Sequence, residues 1–138
     1  MGMMKKYKVA FVCTGNSFRS QMAEGWARHL GSDLLEVCSA GTNPAGKINL
    51  GAIEAMKEVG IDISGQYPKT LDVIPDDLDI LITMGCGTAC PFAPSKYKED
   101  WALEDPAGEP AEVFRQTRNI IKQKVETLVE KVRKSEVI

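Results

Sequence analysis

Hydrophobic and polar positions change period several times along the chain, and the changes mark alternating strands and helices. Val9, Phe11 and Cys13 alternate with Lys8, Ala10 and Val12 in a run so poor in polar residues that it predicts a strand buried on both faces. From Ser20 to about Leu30 the period lengthens, and Met22, Ala23, Trp26, Ala27 and Leu30 fall on one face of a helix. Residues 34–38 predict a second strand that ends at Ser39-Ala40-Gly41. A Gly-, Asn- and Pro-rich loop over 41–49 then leads into a helix over 50–59, stopped by Gly60. Ile61-Asp62-Ile63 is too short to assign, and residues 70–76 hold a short element broken at Pro75. Residues 78–84 read as a further buried strand, and 85–109 as one long loop dense in Gly, Pro and Asp. The last helix covers 111–134, with Val113, Phe114, Thr117, Ile120, Ile121, Val125, Leu128, Val129 and Val132 forming the stripe that packs on the sheet.

Strands that alternate with helices predict an α/β fold with a parallel sheet covered on both faces. In such sheets ligands bind beyond the carboxyl ends of the strands. Cys13 stands at one such end, and the loop after Met84 opens at the same edge.

The 138 residues suit one domain, 1–138 with its core over about 7–134, large enough to need no disulfide or metal. Seventeen basic against nineteen acidic residues give a net charge of −2, so neither a nucleic acid nor an anionic membrane is an expected partner. No apolar run approaches the ~20 residues of a membrane span, and a secretory leader is missing from the start, so the expected location is the cytoplasm. Four cysteines in that reducing compartment point to catalysis or metal binding rather than to structural bridges.

The chemistry concentrates in Cys13-Thr14-Gly15-Asn16-Ser17-Phe18-Arg19-Ser20, between the first strand and the first helix. Gly15 and Asn16 are residue types that accept unusual dihedrals, so this loop can turn successive N–H groups inward above the positive end of a helix dipole. Such a field favours a thiolate over a thiol and would make Cys13 a nucleophile. Arg19 offers a planar fork for two oxygens of a tetrahedral anion, and Ser20 a hydroxyl for the sulfur. The plainer alternative is an inert buried cysteine and a surface-paired arginine.

Gly85-Cys86-Gly87-Thr88-Ala89-Cys90-Pro91 sets two thiols four residues apart in a glycine-containing loop. Cys86 could attack whatever is bonded to Cys13, and Cys90 could then take over the disulfide. Zinc is the rival reading, but a second ligand pair is lacking and the single histidine, His29, lies in the first helix. Cys38, in an apolar strand, reads as a small core residue. Asp105, before Pro106, is the candidate general acid, with Glu104 and Asp100 as competitors and a solvated acidic loop as the plain alternative. Trp101 is expected to pack the loop down.

Taken together these residues resemble the low-molecular-weight protein tyrosine phosphatases, whose signature is Cys-x5-Arg-Ser after the first strand and Asp-Pro in a late loop. The likeness is closer to arsenate reductases that recycle through thioredoxin or glutaredoxin. Residues 13–17 and 19–25, Ser39-Ala40-Gly41, residues 61–64, Asp100-Trp101 and Glu104-Asp105-Pro106-Ala107-Gly108 carry it, and it spans roughly Lys8 to Val132. The resemblance implies a three-layer sandwich around a mainly four-stranded parallel sheet. It implies that Cys13 is the nucleophile, Arg19 the oxyanion ligand and Asp105 the acid. Asn16 and Ser20 would organise the loop, and Cys86 and Cys90 would be resolving thiols, spaced more closely than is common. Phe18 stands where relatives often carry another cysteine. Some members bind potassium at positions matched by Asn16, Glu24 and Ser39, but Lys69 replaces their aspartate, so no strong potassium dependence is expected.

The expected activity is reduction of arsenate by a monomer, with an external dithiol protein and without metal or organic cofactor. The alternatives are a phosphatase working through a phosphocysteine, and a redox or oxyanion sensor that does not turn over. Ala107-Gly108 stands where phosphatases of this fold commonly have tyrosines, and a phosphatase needs no second thiol.

Overall fold

The computed structural model describes residues 6–84, 95–103 and 110–134. Four parallel strands, β1 (Tyr7–Cys13), β2 (Leu35–Gly41), β3 (Ile80–Thr83) and β4 (Tyr97–Asp100), form one sheet in the order β2-β1-β3-β4. Among the described residues three helices accompany it: α1 (Arg19–Gly31), α2 (Leu50–Lys57) and α3 (Ala111–Arg133), with a 3-10 turn at Leu71–Val73. The α/β architecture with a four-stranded parallel sheet is therefore as expected.

The burial of β1 explains its composition. Val9, Phe11 and Cys13 face a core shared with Met22 and Trp26 of α1, Met56 of α2 and Ile121 of α3, whereas Ala10 and Val12 meet Leu78 and Leu81 on the other face. With both faces covered, nothing polar is tolerated in the middle of the strand. The chain leaves β1 to one side for β2 and later returns to its other side for β3, so the strand order reverses at β1. A reversal of that kind opens a crevice at the carboxyl end, where Cys13 stands.

Four expectations are corrected. The stretch 85–109 is not all loop, because Tyr97-Lys98-Glu99-Asp100 forms the edge strand β4, paired with Ile80–Thr83. Four residues, three of them charged, carry little hydrophobic signal, yet charge is what an edge strand tolerates. In α3, Ile120 is 45% exposed, and Arg118 is buried instead, donating to the Ala55 carbonyl at 2.9 Å and to Glu58 at 2.8 Å. The buried positions 114, 117, 118, 121, 125, 128, 129 and 132 follow the helical period more faithfully than a stripe drawn through every apolar residue. The third strand is shorter than 78–84, with Asp79 just before it accepting the Lys8 N–H at 2.8 Å. Helix α2 ends at Lys57, and Gly60 takes the positive φ of 81° that turns the chain away.

Candidate active site

The loop from Cys13 to Phe18 is built by turning its carbonyls outward. Thr42 N–H donates to the Cys13 carbonyl, Asn43 to Thr14, Ala45 to Gly15 and Asn49 to Ser17, at 3.3, 2.9, 2.8 and 2.8 Å. The Gln21 side chain takes the remaining carbonyl, that of Asn16, at 2.9 Å. In a trans peptide the following N–H points opposite to its carbonyl, so N–H groups 14–18 are directed to the other side of the loop. Helix α1 begins there with no side chain capping it, which adds its own unpaired N–H groups to the same cradle. The segment 42–49 is thus an outer strap that shapes an oxyanion nest.

The sulfur of Cys13, 2% exposed, sits at the base of this nest. Asn16 N–H donates to it at 3.1 Å, and Ser20 Oγ lies 2.9 Å away. Asn16 Oδ1 accepts the Lys69 N–H at 2.7 Å, which leaves the Asn16 amide nitrogen to donate to Ser20 Oγ at 2.8 Å. With Ser20 accepting there, its own proton is free to point at an anionic sulfur. Two donors converging on one sulfur is the solvation a thiolate needs.

Arg19, 6% exposed, is anchored through its guanidinium. Its Nη1 donates to the Met84 carbonyl at 2.6 Å and to the Leu103 carbonyl at 2.8 Å. These are the roots of the two segments that carry Cys86 and Asp105. Cys86, Cys90, Glu104 and Asp105 themselves lie outside the described residues. Asp100, the other acid considered, accepts the Thr83 hydroxyl at 2.9 Å and the Ala102 N–H at 3.3 Å. Trp101 is 4% exposed and packs on Phe11 with ring centroids 5.6 Å apart, which pins the start of the late loop as expected.

Within the loop, the unusual conformation belongs to Asn16, with φ 48°, and not to Gly15. The glycine that the nest demands is Gly41: a β-carbon there would stand 2.6 Å from the Thr14 carbonyl oxygen and 2.9 Å from Asn16 Cβ. The sequence reading placed Gly41 and Gln21 within the family likeness but gave neither a role in the nest; the Gln21 side chain is fully buried and bridges the carbonyls of Asn16 and Tyr67. A glutamine within the apolar α1 pattern was the available signal. Cys38 is half-buried rather than sealed in the core, and burial, with Glu24 nearby, pushes its thiol up to about 11.

Residues 8–137 match the low molecular weight phosphotyrosine protein phosphatases. The chain belongs to that family. The glutaredoxin arsenate reductase of Synechocystis sp. is 45% identical over 129 residues, which is 91% of this chain and 98% of that protein. A solved structure of an arsenate reductase in the phosphate binding state is 43% identical, covers 91% of this chain and 98% of its own, and superposes with a TM-score of 0.83. The Corynebacterium glutamicum thioredoxin-dependent arsenate reductase Cg_ArsC1' is 34% identical with a TM-score of 0.78, matching 94% of this chain and 63% of that one.

Within this family the potassium positions can be tested against the residues present. Glu24 is 4% exposed; its Oε1 accepts the Ser39 hydroxyl at 2.5 Å and lies 3.6 Å from Lys69 Nζ, while Arg28 Nε donates to Oε2 at 3.0 Å. Two cations already serve this carboxylate, and a third beside the Lys69 ammonium would be repelled. The residues do not fit a potassium ion. Among the described residues no group of three or more His, Cys, Asp or Glu side chains converges on a metal site elsewhere. Nor is any described helix long and apolar enough to cross a membrane.

Proposed function

We propose that this protein reduces arsenate to arsenite with electrons from its own thiols. The observation that carries the reading is the clasp made by Arg19, whose Nη1 holds the carbonyls of Met84 and Leu103 beside the nest over Cys13. Cys86 follows Met84 by two residues and Asp105 follows Leu103 by two, and two residues of chain reach at most about 7 Å. The clasp therefore holds the roots of both segments that the proposed relay uses. The arsenate reductases related to this chain over nearly their whole length support the same reading.

Arsenate enters the nest as a tetrahedral anion, held by the inward N–H groups and by Arg19. The Cys13 thiolate forms a bond to arsenic as one oxygen leaves, protonated to water by Asp105. Cys86 then attacks Cys13 Sγ. The sulfur–arsenic bond breaks with its electron pair moving to arsenic, so arsenite departs and a Cys13–Cys86 disulfide remains. Cys90 attacks Cys86, restoring the Cys13 thiolate and leaving Cys86–Cys90 for an external dithiol protein of the glutaredoxin type, named in one relative, or the thioredoxin type, named in another. No metal or organic cofactor takes part, and a monomer in the cytoplasm suffices.

The deciding experiment is Cys86→Ser. Arsenate-dependent NADPH oxidation, coupled through thioredoxin or glutaredoxin, should vanish while hydrolysis of an aryl phosphate by the same nest survives. Normal arsenate turnover in that variant overturns the relay, and robust aryl phosphatase activity without any arsenate turnover in the parent makes the protein a phosphatase.

A further inference from the structure

Glu24 carries a buried charge that contributes no atom to the nest, and its closest buried cation is Lys69. The Lys69 side chain is 12% exposed, whereas Arg28, the other cation on Glu24, is 56% exposed. A carboxylate removed from water needs a fixed counter-charge, so Lys69 is the group that makes Glu24 tolerable at this depth.

Lys69 is held at four points. Its ammonium faces Glu24 and donates to the Tyr67 carbonyl at 2.8 Å, its N–H donates to Asn16 Oδ1 at 2.7 Å, and its carbonyl accepts the Gly41 N–H at 2.9 Å. The Tyr67 carbonyl also accepts Gln21 Nε2, which in turn holds the Asn16 carbonyl. Segment 67–69 therefore grips Asn16 from both its side chain and its backbone. Asn16 is the residue that donates to the sulfur directly and also orients Ser20.

We propose that Lys69 is a positioning residue for Cys13: its ammonium, tethered beside Glu24, clamps segment 67–69 against the nest so that Asn16 and Ser20 keep both hydrogen bonds on the sulfur. The proposal rests on Cys13 being the nucleophile. It also accounts for the misfit with potassium, since the counter-charge for Glu24 is already part of the chain. Lys69, Glu24, Gln66 and Tyr67 line a cavity of about 440 Å³, so shortening the lysine leaves room for a small cation to enter from solvent.

The test reads Cys13 itself, as the rate of its carboxamidomethylation in the full chain at neutral pH, followed by peptide mass spectrometry without arsenate. Lys69→Ala should slow that reaction by on the order of tenfold, the loss of one well-aligned bond to a charged sulfur. Methylammonium should restore much of the rate in Lys69→Ala and leave the parent unchanged, while Lys69→Arg should stay within roughly threefold of the parent. Lys69→Met, which keeps the aliphatic stem, repeats the measurement should the alanine variant fold poorly. An unchanged rate in Lys69→Met overturns the proposal, as does a slowed Lys69→Ala that neither methylammonium nor the arginine variant matches. Rapid alkylation of the parent without arsenate turnover would sink the proposed reaction and leave this inference standing.

Discussion

Gly41 comes so close to Thr14 that a β-carbon on it would lie 2.6 Å from the Thr14 carbonyl oxygen. The contact joins the end of β2 to the first turn of the nest, where Thr42 and Asn43 begin the strap of hydrogen bonds that turns the carbonyls outward. Gly41→Ala must push the strap and the loop apart. It should cost about 1–3 kcal/mol in urea unfolding and remove phosphate binding measured by calorimetry. Unchanged phosphate affinity in a stably folded variant would show that the strap does not shape the nest.

Ser20 is the second donor to the sulfur, 2.9 Å from it, and the acceptor for the Asn16 amide. Ser20→Ala removes one charge-assisted bond and orphans a buried donor. A loss of about 1.5–3 kcal/mol in stabilising the thiolate corresponds to roughly 10- to 100-fold slower alkylation of Cys13 at neutral pH. Equal rates for variant and parent would mean that the Asn16 N–H alone governs the sulfur.

The fold was largely legible because burial on both faces leaves a plain mark in β1 and β3, and the 3.6-residue period leaves one in α3. Strand β4 left none, since an exposed edge needs only every second side chain to be half-buried, and Tyr97-Lys98-Glu99-Asp100 satisfies that with one aromatic residue. At the site, the order Cys13, Arg19, Ser20 is local and therefore readable. The parts that complete it are long-range: Gly41, Lys69, Met84 and Leu103 reach the loop only through the folded sheet edge. Gly15 misled because a glycine advertises conformational freedom whether or not the backbone uses it, whereas Asn16 actually takes the positive φ.

Potassium and sodium should support the same turnover. Lys69 Nζ stands 3.6 Å from the Glu24 oxygen that would otherwise attract a monovalent ion. At equal ionic strength the ratio of arsenate turnover in the two salts should stay below about twofold, since exchanging one monovalent ion for another leaves general screening unchanged. Several-fold activation by potassium would show that a cation binds despite the lysine.

Cys38 should be a bystander. Its thiol is pushed up to about 11, by burial first and by the Glu24 charge second, so at pH 8 only about one molecule in a thousand carries the thiolate that reagents and disulfides attack. Peptide mapping after brief alkylation at pH 8 should find Cys38 unmodified, with its labelling rising only toward pH 11. Cys38→Ser should leave the disulfide relay intact. A Cys38-containing disulfide in the oxidised protein after turnover would contradict this assignment.

Acid stability should depend on Glu58, which ties α2 to α3. Its carboxylate accepts two-pronged bonds from Arg115, at 3.0 and 2.8 Å, and one from Arg118 at 2.8 Å. These bonds, Arg115 first, lower it from 4.5 to about 2. A carboxyl depressed in the folded chain favours folding wherever it is ionised. The contribution is complete above about 4.5, shrinks as pH falls through that value, and is gone once pH passes below about 2. Glu58→Gln should therefore lower the melting temperature at pH 6 and converge with the parent near pH 2. The site is solvent-facing, so the difference at pH 6 should shrink when salt is raised. Parallel melting curves for variant and parent across pH 2–6 would mean that the Arg115 and Arg118 bonds contribute nothing to holding α2 on α3.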